Sequence, residues 1–179
     1  AGRLPAFEVF ELPFLANSGP GASRALWEYV QANKLQQSEF KDVRLLAVHT
    51  HDEPHFHMVG KPIKTLADLK GMKVRAPTRV TNKVLAALGA VPVGMPVTQV
   101  ADALSKNVID GALLPWEIVP SVKAHELVKF HSEIDVKSAW LYSAVFVLAM
   151  NPQKYASLPD DLRKVIDANS GAEASAWLG

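Results

Sequence analysis

MKVRAPTRVTNKVLAALGAVPVGMP, residues 72–96, decides the fold. The segment MKVRAP predicts a short strand that ends at Pro77. Thr78 begins the helical pattern TRVTNKVLAALG, which Gly89 ends, and VPVGMP is a second short extended segment. A strand, a helix and a second strand in this order are typical of an α/β protein.

The same alternation continues on both sides of this stretch. A helix that begins near Ser23 precedes it, and a helix over roughly residues 117–127 follows it. Further strands are predicted at VRLLAVHT (43–50), IDGALLPW (109–116), VKFHSEI (128–134) and WLYSAVFVLAM (140–150). The pattern indicates α/β lobes around mainly parallel sheets, which bind ligands outside the carboxyl ends of their strands.

Composition excludes several classes of partner. The 19 lysines and arginines nearly balance the 18 aspartates and glutamates, so no strong field favours nucleic acid or an anionic membrane. The chain has 0 cysteines, which excludes disulfides and thiolate metal sites. No apolar run approaches the roughly 20 residues that a membrane-spanning helix needs. We therefore expect no nucleic-acid partner and no insertion into a membrane.

Three ordered blocks of sequence carry a family resemblance. They are KPIKTLADLKGMKVRAP (61–77), LAALGAVPVGMPVTQVADALSKNVIDGALLPW (85–116) and VFVLAMNPQKYASLPDDLRKVI (145–166). Together they resemble the DctP-like solute-binding proteins of TRAP (tripartite ATP-independent periplasmic) transporters. The His-rich segment, PTR at 77–79 and PWE at 115–117 resemble the members associated with aromatic, hydroxy or keto acids.

The resemblance implies a two-lobed α/β periplasmic binding protein, a type II-like clamshell. Lobe I would comprise residues 1–49 and 139–179, including an inter-lobe helix, and lobe II would comprise residues 50–138. The family is longer than this chain, so the first third and the C-terminal end of the usual fold are expected to be missing.

The resemblance also implies a function. The chain is expected to be a periplasmic receptor that binds an organic monocarboxylate, either aromatic or a 2-hydroxy or 2-keto acid, and delivers it to the membrane subunits of the transporter. A receptor of this kind is not an enzyme, and we expect neither a cofactor nor a metal ion.

Two arginines are candidates for binding the carboxylate. Arg75 follows MKV on a predicted strand, and its planar guanidinium matches the two oxygens of a carboxylate. In the family, the arginine of this motif forms a bidentate salt bridge with the ligand. Arg79, at the start of the next helix, can help to hold an anion near the helix N-terminus, or it can be a solvated arginine.

Trp116 and Glu117 follow the next strand that ends at the predicted cleft. Tryptophan can stack on an aromatic or carbon-rich ligand, and the Glu117 carboxylate can accept a hydrogen bond from a hydroxyl. Many family members have asparagine at the position of Leu114. This departure favours a more apolar ligand than a C4-dicarboxylate or sialic acid.

The segment HTHDEPHFH, residues 49–57, has four of the six histidines of the chain. Spacing places His49 with His51, and His55 with His57, on common faces of extended chain. A turn at residues 52–54 would bring the two pairs together, and an HxH spacing can bind zinc or iron. Two interpretations are about equally favoured over a metal site: a pocket wall of His55, Phe56 and His57, and histidines of a loop or hinge that are hydrogen-bonded to the backbone.

Two alternatives to the receptor remain open. One is a metal-dependent hydrolase or dioxygenase built on the His cluster. The other is a fragment that binds no ligand, because the missing segments supply half of the family's cleft.

Overall fold

The structure, a computed structural model, describes residues 4–134 and 139–179. The helices are α1 (Gly19–Ala32), α2 (Arg79–Ala87), α3 (Val100–Ser105), α4 (Pro152–Ala156), α5 (Asp160–Ala168) and α6 (Ala172–Leu178). The strands are β1 (Arg44–Thr50), β2 (Pro54–Met58), β3 (Lys73–Ala76), β4 (Val91–Gly94), β5 (Gly111–Pro115), β6 (Phe130–Ser132) and β7 (Val145–Met150).

The strands form two separate sheets. β1 and β7 pair in a 2-stranded antiparallel sheet, and the other strands form a 5-stranded sheet of order β4-β3-β5-β2-β6. We call residues 54–134 the sheet unit, and residues 4–50 with 145–179 the ribbon unit. The short segments 51–53 and 139–144 connect the two units.

The 5-stranded sheet is mixed, so the expectation of mainly parallel sheets is wrong: two of its strand pairings are parallel and two are antiparallel. β3 is parallel to both β4 and β5, and helices α2 and α3 provide the crossovers that parallel neighbours need. β2, the first strand after the connecting segment 51–53, is antiparallel to β5 and to β6. Four strands therefore share one direction and β2 opposes them.

β5 lies at the centre of the sheet unit, and its side chains alternate between two apolar clusters. Leu113 packs into the cluster formed with α2 and residues 141–144. Ala112 and Leu114 pack on the opposite face, in the cluster formed with α3. All the residues of β5 are buried, so this strand is fixed from both sides.

The helix predicted to follow Thr78 is confirmed. The Thr78 side chain accepts a hydrogen bond from the backbone N–H of Thr81 and caps α2. Leu88 follows the last residue of α2, and Gly89 has a φ of 88°, the left-handed conformation that ends many helices. The cap places the start of α2 directly after the carboxyl end of β3.

The ribbon unit has its own core and an exposed strand. Its buried cluster includes Leu26 and Val30 of α1, together with Leu45 and Val48 of β1. The residues of β7 are only half-buried or exposed, although its sequence is VFVLAM. The core of the ribbon unit therefore buries β1 and leaves β7 largely exposed.

Three sequence-based predictions of local structure are wrong. A helix does not form over residues 117–127, where two 3₁₀ turns lie, because Lys123 has a left-handed φ of 54° and interrupts it. The strand predicted at 140–150 begins to pair only at Val145. The histidines do not form a hairpin, because β1 and β2 lie in different sheets.

The lobe boundaries implied by the family resemblance stay a prediction, and they fall after residues 49 and 138. The first boundary, at residues 49 and 50, lies at the end of β1. The second follows residue 138, and residues 135–138 lie outside the described part of the chain. Leu141, Tyr142 and Ala144 pack into the core of the sheet unit rather than the ribbon unit. None of the helices within residues 4–134 and 139–179 is long and apolar enough to span a membrane.

Candidate functional site

A cavity of about 660 Å³ lies between the ribbon unit and the sheet unit. We call it the main cavity. Its walls come from the connecting segments, from β1 and β7, and from the loops after β3, β4 and β5. The lining residues include Glu11, His49, His51, Asp52, Arg75, Leu114, Glu117, Tyr142 and Phe146. It is therefore placed where the sequence predicted a ligand, at the carboxyl ends of parallel strands.

Arg75 lies on β3 and its side chain is held from two sides. Its Nε donates a hydrogen bond of 3.2 Å to the carbonyl of Met95, and its Nη1 donates one of 3.4 Å to the carbonyl of Leu113. The residue is only 5% exposed, yet it lines the main cavity. These contacts use two of the five N–H donors of the guanidinium, which is therefore positioned before any ligand arrives.

No carboxylate lies within 4.0 Å of the Arg75 guanidinium among the residues that the structure describes. Burial lowers the pKa of Arg75, and the nearby Tyr142 hydroxyl opposes this effect. Burial also raises the pKa of Tyr142, which stays neutral. A buried cation without a paired anion is costly, so this guanidinium is suited to a carboxylate from outside the chain.

Two glutamates line the same cavity. Glu11 is only 4% exposed, and burial raises its pKa although the Thr78 side chain hydrogen-bonds it. Partial burial raises the pKa of Glu117, which lies close to Asp52 and His49. These carboxyl groups can accept a hydrogen bond from a ligand hydroxyl or, when protonated, donate one. They disfavour a second negative charge in the cavity.

The opposite wall has an aromatic pair on the ribbon. His49 of β1 and Phe146 of β7 are register partners, and their rings stack with centroids 5.0 Å apart and an angle of 17° between the planes. Both side chains line the main cavity. A wall of this kind can pack against the apolar or aromatic part of an acid.

His51 lines the main cavity, but both of its ring nitrogens are already used. Its Nδ1 donates to the carbonyl of Asp52, and its Nε2 accepts a hydrogen bond of 3.0 Å from the backbone N–H of Ala144. Burial lowers the pKa of His51 to about 4, so it is neutral near pH 7. His51 therefore ties the two connecting segments together.

Trp116 does not line the main cavity. Its indole packs against His57 and His131, with centroid distances of 4.9 Å and 4.8 Å, and its Nε1 donates to Glu133 at 3.2 Å. It borders a smaller cavity of about 380 Å³, together with His55 and Glu117. Trp116 therefore borders only the smaller of these two cavities, whereas Glu117 lines both.

His55, Phe56 and His57 were predicted to form a wall of the ligand pocket, but none of them lines the main cavity. Phe56 is 5% exposed and packs in the core of the sheet unit, and His57 is fully buried. His57 Nε2 donates to the carbonyl of Leu114, and its Nδ1 lies 2.7 Å from Nδ1 of His131. β2 is an internal strand of the sheet, paired on both edges, and all of its residues are buried. Only His55 reaches a cavity, the smaller one.

Arg79 also has a protein partner. Its Nη2 lies 2.7 Å from Oε2 of Glu8, and Arg79 is absent from the residues that line the main cavity. Glu8 belongs to the ribbon unit and Arg79 to the sheet unit, so this ion pair joins the two units. Arg79 therefore pairs with a residue of the other unit and does not lie at the main cavity, where it was predicted to help to bind an anion.

The His cluster is not gathered into one site. β1 places His49 and His51 at the main cavity, whereas β2 places His57 inside the sheet unit. In residues 4–134 and 139–179, no group of three or more histidine, aspartate or glutamate side chains has the arrangement of a metal site. The hairpin on which the hydrolase or dioxygenase alternative depends does not form, so that alternative has no support.

Sequence reasoning missed the cavity roles of Glu11 and His49. Glu11 comes from the 3₁₀ turn Phe7–Glu11, far along the chain from Arg75. The pocket wall predicted from the sequence comprises His55, Phe56 and His57 and leaves His49 out. The pairing of β1 with β7 brings it to the cavity, and no local signal in the sequence specifies that pairing.

Comparison with known proteins gives a family match over nearly the whole chain. Residues 1–177 match the profile of DctP, described as bacterial extracellular solute-binding protein, family 7. The chain is 29% identical to the 2,3-diketo-L-gulonate-binding periplasmic protein YiaO of Escherichia coli over 97% of its length. It spans about half the length of the curated relatives it matches, 52% in this case.

Two solved structures are more similar. A TRAP solute-binding protein of Rhodoferax ferrireducens, solved with copurified benzoate, is 57% identical with a TM-score of 0.96. The match covers 100% of this chain and 55% of that protein. A marine metagenome TRAP solute-binding protein specific for aromatic acids, solved with metahydroxyphenylacetate, is 47% identical with a TM-score of 0.89, over 99% of this chain and 55% of that one.

Proposed function

The chain belongs to the DctP family of bacterial extracellular solute-binding proteins, and on this basis we propose that it binds an aromatic monocarboxylate in the main cavity. The whole receptor would capture the acid outside the cytoplasmic membrane and deliver it to the membrane subunits of a TRAP transporter. The proposed role is capture and release, without catalysis.

Family membership confirms several expectations from the sequence. The resemblance to TRAP solute-binding proteins, the α/β fold class of a partial two-lobed binding protein and the periplasmic location are confirmed. The family is one of receptors rather than enzymes.

One observation carries the proposal: Arg75 is a buried, positioned guanidinium at the main cavity with no carboxylate within 4.0 Å among the described residues. A bidentate pair with a ligand carboxylate would satisfy the remaining donors. We assign Arg75 to the carboxylate and Glu117 to a polar substituent of the ligand. We assign a structural role, in holding the walls of the cavity in place, to the other predicted residues: Trp116, Arg79, His55, Phe56 and His57.

The charges of the cavity favour a monocarboxylate. Among its described lining residues, Arg75 is the one lysine or arginine, whereas Glu11, Asp52 and Glu117 are acidic. A dicarboxylate would place its second charge among these carboxyl groups. Leu114 adds an apolar residue at the position where many family members have asparagine.

The lining of the cavity favours an aromatic acid. Two similar proteins were solved with benzoate and with metahydroxyphenylacetate. The main cavity combines apolar residues with an aromatic pair on β1 and β7, which suits a planar ring.

We also propose that the two units correspond to the lobes of a clamshell, with lobe I at residues 1–49 and 139–179 and lobe II at 50–138. Closure would turn the units about the connecting segments, where His51 bonds one segment to the other. The Glu8–Arg79 pair would form part of the contact between closed lobes.

A thermal-shift screen of the purified protein tests this function. Benzoate, 3-hydroxybenzoate and mandelate should raise the melting temperature, because a ligand stabilises only the folded state, while succinate should not. Arg75→Ala should abolish the shift, since losing one partner of a buried pair costs about 3–5 kcal/mol. Arg24→Ala is the matched control, because Arg24 is an exposed arginine paired with Glu173 outside the cavity.

The screen separates the candidate functions. A shift with aromatic acids that persists in Arg24→Ala and vanishes in Arg75→Ala supports the receptor. A shift that is unchanged in Arg75→Ala contradicts the role of Arg75. No shift with any acid would favour the alternative that the chain binds no ligand.

A further inference from the structure

Phe146 occupies an unusual position for a large apolar side chain. It is the second residue of the exposed strand β7 and is 44% exposed. Among the described residues that line the main cavity, it is the one large hydrophobic side chain with an exposure this high. Its free surface faces a cavity rather than a protein core, so a ligand can remove apolar area from water there.

The ring of Phe146 is held by its cross-strand partner. His49 stacks on it at 5.0 Å, and Nδ1 of His49 donates to the carbonyl of Thr50 at 3.3 Å. Cross-strand aromatic pairs of this kind stabilise each other's orientation. The His49 ring thereby limits the freedom of the Phe146 ring, which reduces the entropy that a ligand must overcome when it packs there.

A series of rings leads from Phe146 toward Arg75. His51 lies 6.1 Å from Phe146, with the planes tilted, and 5.2 Å from Tyr142 in an edge-to-face contact. Tyr142 is close enough to Arg75 for the two groups to perturb each other. The lining of the cavity therefore changes from aromatic at β7 to cationic at β3, which matches the two ends of an aromatic acid.

We infer that the stacked pair Phe146 and His49 forms the ring subsite of the main cavity and selects aromatic over saturated cyclic carboxylates. Phe146 contacts the ligand ring, and His49 is a positioning residue that acts through Phe146. The inference rests on the proposed function of the same cavity, and it concerns selectivity rather than binding as such.

Calorimetric titration with benzoate and cyclohexanecarboxylate tests this subsite, because the two acids share a carboxylate and a six-membered ring. Aromatic pairing contributes beyond buried area, so the unmodified protein should prefer benzoate by about two- to ten-fold. Phe146→Leu should bring the ratio of the two dissociation constants close to one. His49→Ala should reduce the ratio, and His49→Phe should restore it.

Leu148→Ala is the matched control. Leu148 is also an exposed apolar residue of β7, 49% exposed, but it does not line the main cavity. This variant should keep the full preference for benzoate, whereas a change equal to that of Phe146→Leu would show that β7 acts only through its general stability and would overturn the inference.

The outcomes distinguish the subsite from the proposed function. If Phe146→Leu binds both acids and retains the preference for benzoate, the inference is wrong and the receptor function stands. If the unmodified protein binds neither acid, the proposed function fails and the inference fails with it. Arg75→Ala should lose both acids together, which separates the carboxylate contact from the ring contact.

Discussion

The two walls of the main cavity are built in different ways. Arg75 projects from a 5-stranded sheet whose central strand is buried on both faces. Phe146 projects from a 2-stranded ribbon whose second strand is largely exposed. A two-stranded ribbon is marginal by itself, so α1 and the β1 core must hold it in place.

This difference separates the two parts of recognition. The charge contact needs a fixed geometry, because a guanidinium and a carboxylate pair well only in a narrow range of positions. The apolar contact tolerates small displacements, since burial of apolar area has no preferred direction. The rigid unit therefore suits the carboxylate, and the less enclosed strand suits the ring.

The largest expected difference between the two units is in stability. Leu113→Ala, in the buried centre of β5, should lower the free energy of unfolding by about 2–5 kcal/mol. Leu148→Ala, on exposed β7, should change it by less than about 0.5 kcal/mol. Urea unfolding measures both variants, and equal losses would remove the distinction between a rigid wall and a peripheral one.

A smaller effect is expected from pH at the connecting segments. Burial in the folded protein lowers the pKa of His51 to about 4, below the 6.5 of an unburied histidine. The unfolded chain therefore binds more protons between these values, so stability should fall as the pH decreases from about 6.5 to about 4. The contribution of this residue is at most about 3–4 kcal/mol.

Chemical unfolding at several pH values checks this prediction. Glu11 has a raised pKa and acts in the opposite sense, so the comparison of variants isolates His51. His51→Gln should flatten the pH dependence of stability between about pH 4 and about pH 6.5. If the free energy of unfolding depends on pH in the same way in His51→Gln and in the unmodified protein, the predicted contribution of His51 is wrong.

The smallest effect is expected from the ion pair that joins the two units directly. The Arg79 side chain is 56% exposed, so its coupling with Glu8 should be about 0.5–1 kcal/mol. A double-mutant cycle with Glu8→Gln and Arg79→Gln measures this coupling apart from the other contacts of Glu8. The coupling should decrease at high salt. A coupling that is insensitive to salt would argue against an exposed charge contact between the units.

Local signals in the sequence predicted much of the sheet unit. The strand at 72–77, the helix capped by Thr78 and the turn at Gly89 agree with the structure, because each depends on neighbouring residues. Arg75 reached the cavity as expected for a residue at the end of such a strand. The prediction of a helix over residues 117–127 failed, since the left-handed Lys123 and two short turns break the continuous pattern.

The ribbon wall could not be predicted from local signals. His49 and Phe146 are far apart in the sequence, and only the pairing of β1 with β7 makes them neighbours. The alternation of histidines at 49–57 predicted which side chains share a face but not which sheet each strand joins. For this reason His57 and Phe56 were expected at the ligand and instead lie in the interior.

The most direct measurement of the central claim compares benzoate with benzamide in calorimetric titrations of the unmodified protein. The two compounds have similar shapes, but only benzoate can form a charged bidentate pair with the buried Arg75 guanidinium. We predict that benzoate binds and that benzamide binds more than about a hundred-fold more weakly, because a buried, unpaired charge costs about 3–5 kcal/mol. Equal affinities for the two compounds would contradict the claim that Arg75 anchors the ligand carboxylate.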